Sequence, residues 1–192
     1  MSITCRTISA EQHLAFVQQR GSASFLQTPA WAKVKPEWRG ESIGFFAGTE
    51  LTGVALVLYR QLPKLKRYLA YLPEGPVLDW SRPDVDDHLR ALVSYAKRSK
   101  AFAVRIGPAV PHRRWRADTI KAAIADDAVT TLSQVTPDET TLVGTRVINQ
   151  LIHGGWHTDE SGHGFAAAHP MPTFPLPPRA PPRRRRDRQA RW

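Results

Sequence analysis

Apolar and polar positions along this chain follow two periods. Ser42–Ala47 and Thr52–Arg60 carry strand-forming residues on either side of Gly48-Thr49-Glu50, which predicts a hairpin. Val54, Ala55, Leu56, Val57 and Leu58 are apolar without interruption, so the second strand is expected to be buried on both faces. Arg67–Leu72 predicts a third antiparallel strand, cut by Pro73 and turned at Gly75-Pro76. Ile3–Ile8 predicts a first strand, and Ala101–Ile106 a buried one stopped by Gly107-Pro108.

Between these strands the period changes to that of helices. Ser9 and Gln12 form a capping box, opening a helix to Arg20 with Leu14 and Val17 inward and Gly21 as its stop. A second helix is expected after Ser81 as N-cap and Pro83 in its first turn. Val85, Leu89, Leu92, Val93 and Ala96 give it one apolar face. Asp84, Asp86 and Asp87 crowd its start, and Lys97, Arg98 and Lys100 its end, both favourable to the helix dipole. Asp118–Ala125 and Thr141–His153 predict two more helices, the latter closed by Gly154-Gly155. The fold class is α/β or α+β, an open and mainly antiparallel sheet flanked by helices.

Composition changes this picture at one end. The chain has 192 residues, 42% hydrophobic and 23% charged, enough for one sizeable core. Its net charge is +10, but residues 166–192 hold seven arginines against one aspartate. They also hold seven prolines and show almost no periodicity, so 166–192 is expected to be a disordered tail behind a folded domain over 1–165. A nucleic-acid or acidic-membrane arm is the functional reading of such a tail, and an end without a role is the plain one. The single Cys5 allows no internal disulfide and lacks a neighbouring base, so it reads as a small core residue. No export signal is present and no stretch reaches membrane-spanning length, so a cytoplasmic location is expected.

Candidate chemistry centres on Phe25–Arg39. Thr28 suits an N-cap, Pro29 a first helical turn, and Pro36 an end. Lys33 and Lys35 therefore sit on a short rigid piece carrying Trp31 and Trp38. Positive charge on a pre-ordered loop beside a sheet suits an anionic ligand, while a solvated loop plugged by the tryptophans explains the same residues. Arg105 interrupts an apolar strand. It needs a partner such as Asp79 or Glu74, or else it faces a ligand cleft. Arg113-Arg114-Trp115-Arg116 reads as a basic aromatic loop. His153, His157 and His163, with Glu160 nearby, do not share a helix face, and no metal site is assigned to them. No glycine-rich phosphate loop, nucleophile elbow or H-E-x-x-H is present, so no cofactor is expected.

Four blocks carry a resemblance when taken together. They are F-L-Q-T-P-A-W-A-K-V-K-P-E-W, L-V-L-Y-R-Q-L-P, Y-L-A-Y-L-P-E-G-P-V-L-D-W and V-R-I-G-P-A-V-P. In order and spacing, with Gly155-Trp156 and Gly162–Phe165, they resemble the first domain of the Fem-type (FemABX) family over about residues 1–165. The resemblance implies a GNAT-like acyltransferase domain and a tRNA-dependent aminoacyltransferase of peptidoglycan bridge synthesis. Its partners would be aminoacyl-tRNA as donor and a nucleotide- or lipid-linked peptidoglycan precursor as acceptor. Peripheral association with the inner membrane surface would follow through the lipid-linked substrate. The family's tryptophan and lysine map onto Trp31 and Lys35, with Lys35 expected on the precursor's diphosphate, and Lys33 and Arg105 as secondary candidates. No catalytic residue is carried over. Family members continue into a second domain where this sequence turns to proline and arginine, so weak or absent activity of this chain alone is expected. A non-catalytic binding module for a nucleotide- or lipid-linked anion, or for RNA, is the alternative.

Overall fold

The computed structural model describes residues 2–158 and 172–175. The strands are β1 (Ile3–Thr7), β2 (Arg39–Ala47), β3 (Glu50–Gln61), β4 (Tyr68–Leu72), β5 (Ala101–Ile106), β6 (Arg113–Arg114), β7 (Glu139–Thr140), β8 (His157–Thr158) and β9 (Pro172–Pro175). The helices are α1 (Ala10–Gln18), α2 (Val85–Arg98), α3 (Ala117–Ile124) and α4 (Leu142–His153). Seven strands form one open sheet in the order β1-β2-β3-β4-β5-β9-β8, and β6 pairs with β7 apart from it. Only β4 and β5 run parallel, with α2 as their crossover; every other pairing in the sheet is antiparallel. The expected mixed, mainly antiparallel sheet flanked by helices is the fold observed.

The continuous apolar run of β3 explains the layering. Alternate side chains leave a strand on opposite faces. Ala55, Val57 and Tyr59 join Leu72, Leu89, Leu92 and Val104 in a core under α2. Val54 joins Ile8, Phe16 and Phe46 in a smaller core under α1 on the other face. Both faces of β3 are therefore covered, as its composition requires. Gly48, at φ 62°, makes the tight turn from β2 into β3.

Several local expectations change. The capping box of α1 is formed by Ser9 and Gln12, but the buried face carries His13 and Phe16 while Leu14 is exposed. His13 takes the inward position because Ser42 Oγ on β2 lies 2.9 Å from its Nδ1. α2 begins at Val85 with Asp84 as N-cap, not after Ser81. The preceding residues form a polar turn instead. Asp79 Oδ1 accepts from the Ser81 amide and hydroxyl, and Arg82 donates two bonds to Asp84. Arg113-Arg114 is a ladder with Glu139–Thr140, and Trp115 Nε1 donates to the Val135 carbonyl at 3.1 Å. Pro172–Pro175 is a strand between β5 and β8, which differs from the disorder expected across 166–192; the rest of that stretch lies outside the described residues. The unpaired edge of β5 offers a row of backbone donors and acceptors that such a segment satisfies. Cys5 is buried as expected, and burial pushes its thiol up to about 12, leaving it inert.

Candidate functional site

Phe25–Arg39 opens with two short 3-10 turns, Phe25–Gln27 and Pro29–Val34. Thr28 lies between them and its hydroxyl donates to the Phe25 carbonyl, so its side chain does not cap the second turn. The second turn rests on β2. A Cβ at Gly40 would lie 2.5 Å from Ala32 Cβ, so the turn approaches β2 closely where no side chain intervenes. Gly40→Ala is accordingly expected to cost about 1–2 kcal/mol through overpacking against that rigid methyl. Thermal unfolding checks this, and an unchanged Tm would show that the turn yields freely.

The segment is held from below by a residue that sequence reasoning passed over. Gln27 is fully buried. Its Nε2 donates to the Pro73 carbonyl at 2.6 Å, and its Oε1 accepts from the Leu56 amide at 3.0 Å. Leu56 lies where β3 has left β4 and not yet met the Val54–Val77 bridge. The Gln27 amide substitutes for a missing ladder partner there, and Gly75 leaves room for it, since a Cβ would approach that amide within 2.3–2.6 Å. A lone glutamine among aromatic and polar residues carries no periodic signal, which is why sequence alone did not single it out.

Lys35 ends the second turn. Its carbonyl accepts from the Trp38 amide at 2.9 Å, so its backbone is fixed while its side chain is exposed. Trp38 packs on Tyr71, with ring centroids 5.9 Å apart. Tyr71 is the register partner of Arg105 on β5, which places both side chains on one face of the sheet. Burial raises the Tyr71 phenol above its ordinary value, with Arg105 opposing the rise and Glu74 adding to it. Arg105 and Glu74 therefore both act at Tyr71, whereas Asp79 is engaged by Ser81. The guanidinium of Arg60 stands 5.6 Å from the Trp38 ring.

Two cations, Arg60 and Arg105, thus border the Trp38–Tyr71 pair, and Lys35 stands three residues before Trp38 with its carbonyl bonded to the Trp38 amide. Arg60 was not a candidate, yet the alternation Leu56, Leu58, Arg60 on β3 puts it on this face. Trp31 is half-buried and meets Phe25 edge-on at 5.4 Å, so it anchors the turn at the opposite end. Lys33 is exposed on the same turn, and the Trp38 amide bonds the Lys35 carbonyl, not that of Lys33. A cationic surface beside a tilted aromatic pair can hold a diphosphate or another dianion by charge-assisted contacts. His153 Nδ1 lies 2.7 Å from the Asn149 carbonyl of its own helix, while Glu160 and His163 lie outside the described residues.

Comparison with known proteins bears on the family and the fold. The FemAB family model matches residues 8–139. A lipid II:glycine glycyltransferase of Staphylococcus epidermidis is 34% identical over 109 residues, covering 54% of this chain and 26% of the relative. One of Staphylococcus aureus is 33% identical over 106 residues, covering 54% and 25%. The crystal structure of FemX is similar with a TM-score of 0.55 and 25% identity, over 80% of this chain and 32% of that one. The matched region therefore spans about a quarter to a third of these proteins' length.

Proposed function

The chain belongs to the FemAB family, and from that membership we propose that it serves an aminoacyltransferase of peptidoglycan bridge synthesis, contributing the surface that binds the precursor. The observation that carries this reading is the fixed Lys35 beside the Trp38–Tyr71 pair, with Arg60 and Arg105 close by. The acceptor would be a nucleotide- or lipid-linked muropeptide and the donor an aminoacyl-tRNA. The acceptor's free amine attacks the ester carbonyl of the charged tRNA. An amide bond forms, the ester C–O bond breaks, and the tRNA hydroxyl leaves with a proton. The ester is already activated, so the protein's task is to align two large substrates and stabilise the developing oxyanion. Lys35 and its neighbours would perform the acceptor's share by holding its diphosphate; no residue of this chain is assigned to the transfer step. The work is expected on the cytoplasmic side of the membrane, and among the described residues no helix is long and apolar enough to cross one.

Lys35 is expected to contribute more than Lys33, because its carbonyl is bonded to the Trp38 amide, which brings it nearer the Trp38–Tyr71 pair, and its fixed backbone limits the entropy lost on ordering its ammonium. A charge-assisted contact of this kind is worth roughly 1.5–3 kcal/mol. Lys35→Ala should therefore weaken binding of a nucleotide-linked muropeptide about tenfold or more, with a smaller effect at high salt and no loss of fold. Lys33→Ala should change it less. Calorimetry on the three proteins decides the matter. Equal affinities would remove Lys35 from the site, and no binding by the wild type would remove the precursor-binding reading itself.

A further inference from the structure

The connection between β3 and β4 has a composition that the site above does not use. It reads L-P-K-L-K-R over Leu62–Arg67, and no carboxylate occurs from Leu51 through Leu72. The turn is ordered by its own bonds: the Leu62 amide donates to the Arg67 carbonyl at 2.9 Å, and Gln61 Nε2 donates to the Leu65 carbonyl at 3.2 Å. Lys64 and Lys66 are exposed on either side of Leu65, whose surface is 55% accessible. The C-terminal end of α2 lies alongside, because the Tyr68 amide donates to the Lys100 carbonyl at 3.3 Å. Lys97 and Lys100 thereby join Lys64, Lys66 and Arg67 at one end of the sheet. Among the described residues, none of these five cations is in an ion pair, whereas Arg39, Arg82, Arg90, Arg114 and Lys121 all are.

We propose that this end of the sheet docks on an anionic lipid surface, with the five cations against the headgroups and Leu65 entering the interface. The charge complements an acidic bilayer. The leucine at the tip decides between partners. An exposed apolar side chain gains free energy by entering the headgroup and acyl boundary, and gains nothing from a nucleic-acid phosphate backbone. The docking is independent of the substrate assignment. It would also keep the Lys35–Arg60 surface close to a lipid-linked acceptor, since Arg60 is the last residue but one of β3, just before this turn.

The test places a probe at the tip rather than measuring total adhesion, because the seven arginines of residues 166–192 would bind any acidic surface. Cys5 is buried, so Leu65→Cys in the full chain can be labelled selectively with nitrobenzoxadiazole. With vesicles of phosphatidylglycerol and phosphatidylcholine, the label should brighten and shift to the blue. Lys64→Gln with Lys66→Gln in the labelled protein should raise the lipid concentration at half-effect roughly tenfold or more. The same label at Ile124→Cys, exposed on α3, should stay unchanged. Three results would overturn the proposal: no response at residue 65, an equal response at residue 124, or a response at residue 65 to single-stranded RNA matching that to vesicles.

Discussion

Gln27→Ala is expected to destabilise the protein by about 3 kcal/mol. The substitution empties a fully buried site and leaves the Leu56 amide without its partner. The Pro73 carbonyl loses its 2.6 Å bond as well. An unsatisfied buried backbone group costs roughly 1–3 kcal/mol, and the cavity adds to that. Gln27→Met restores most of the volume without the hydrogen bonds, so its loss should fall between the two. Urea unfolding at constant m measures both variants. The turns above Gln27 should loosen too, with faster hydrogen exchange at the Trp31 and Trp38 amides, whose acceptors are the Thr28 and Lys35 carbonyls. A loss below about 1 kcal/mol would mean that Gln27 is not the brace between the turns and the sheet.

Stability should also fall by up to about 3 kcal/mol as pH drops from 6.5 to 4, through His13. Its ring is fully buried and bonds Ser42 through Nδ1, and its Nε2 makes no hydrogen bond among the described residues. Burial pushes it down from 6.5 to about 4, against a smaller opposing pull from the Gln27 backbone. The native state therefore keeps His13 neutral where the unfolded chain protonates it. The contribution is complete above the unfolded value and is lost as pH falls toward 4; below that both states carry the proton. His112 is also lowered by burial and by Arg113, and acts in the same direction. Asp79 and Asp84 are held below the usual carboxylate range by Ser81 and Arg82 respectively, so their contributions fade at lower pH. His13→Gln removes only the His13 share. Its stability should decline less than the wild type's between pH 6.5 and 4 by about 3 kcal/mol, and parallel curves would show that His13 is not the group responsible.

His13 and Gln27 act together on the candidate site. One ties α1 to β2 and lies close to the Gln27 backbone, and the other ties the following turns to β3 and to the Pro73 turn. The turns that lead to Lys35 therefore start from this buried polar frame. Both frame residues are polar and fully buried, where a missing partner has its largest effect.

The periodic features of this protein were determined by its sequence alone. Unbroken apolar character over Val54–Leu58 requires cover on both faces, and α1 and α2 supply it. The Ser9–Gln12 capping box and the charge bias of α2 are local chemistry, and both formed where the residues stand. The resemblance likewise rested on short runs of neighbouring residues and pointed to Trp31 and Lys35, with Lys33 as a weaker candidate, while Arg105 stood out as a charge inside an apolar strand. Tertiary structure decided what depends on partners distant in sequence. Leu14 and His13 compete for the same helix face, and Ser42, on another element, selects the histidine. Arg60 joins the site only because β3 and β4 pair, which puts Arg60 and Tyr71 on one face where both meet Trp38. Gln27 matters because β3 and β4 part at Leu56, a gap that no local pattern records. Local propensity and periodicity are written into neighbouring residues, but the satisfaction of a buried polar group depends on atoms that only the folded chain brings within 3 Å.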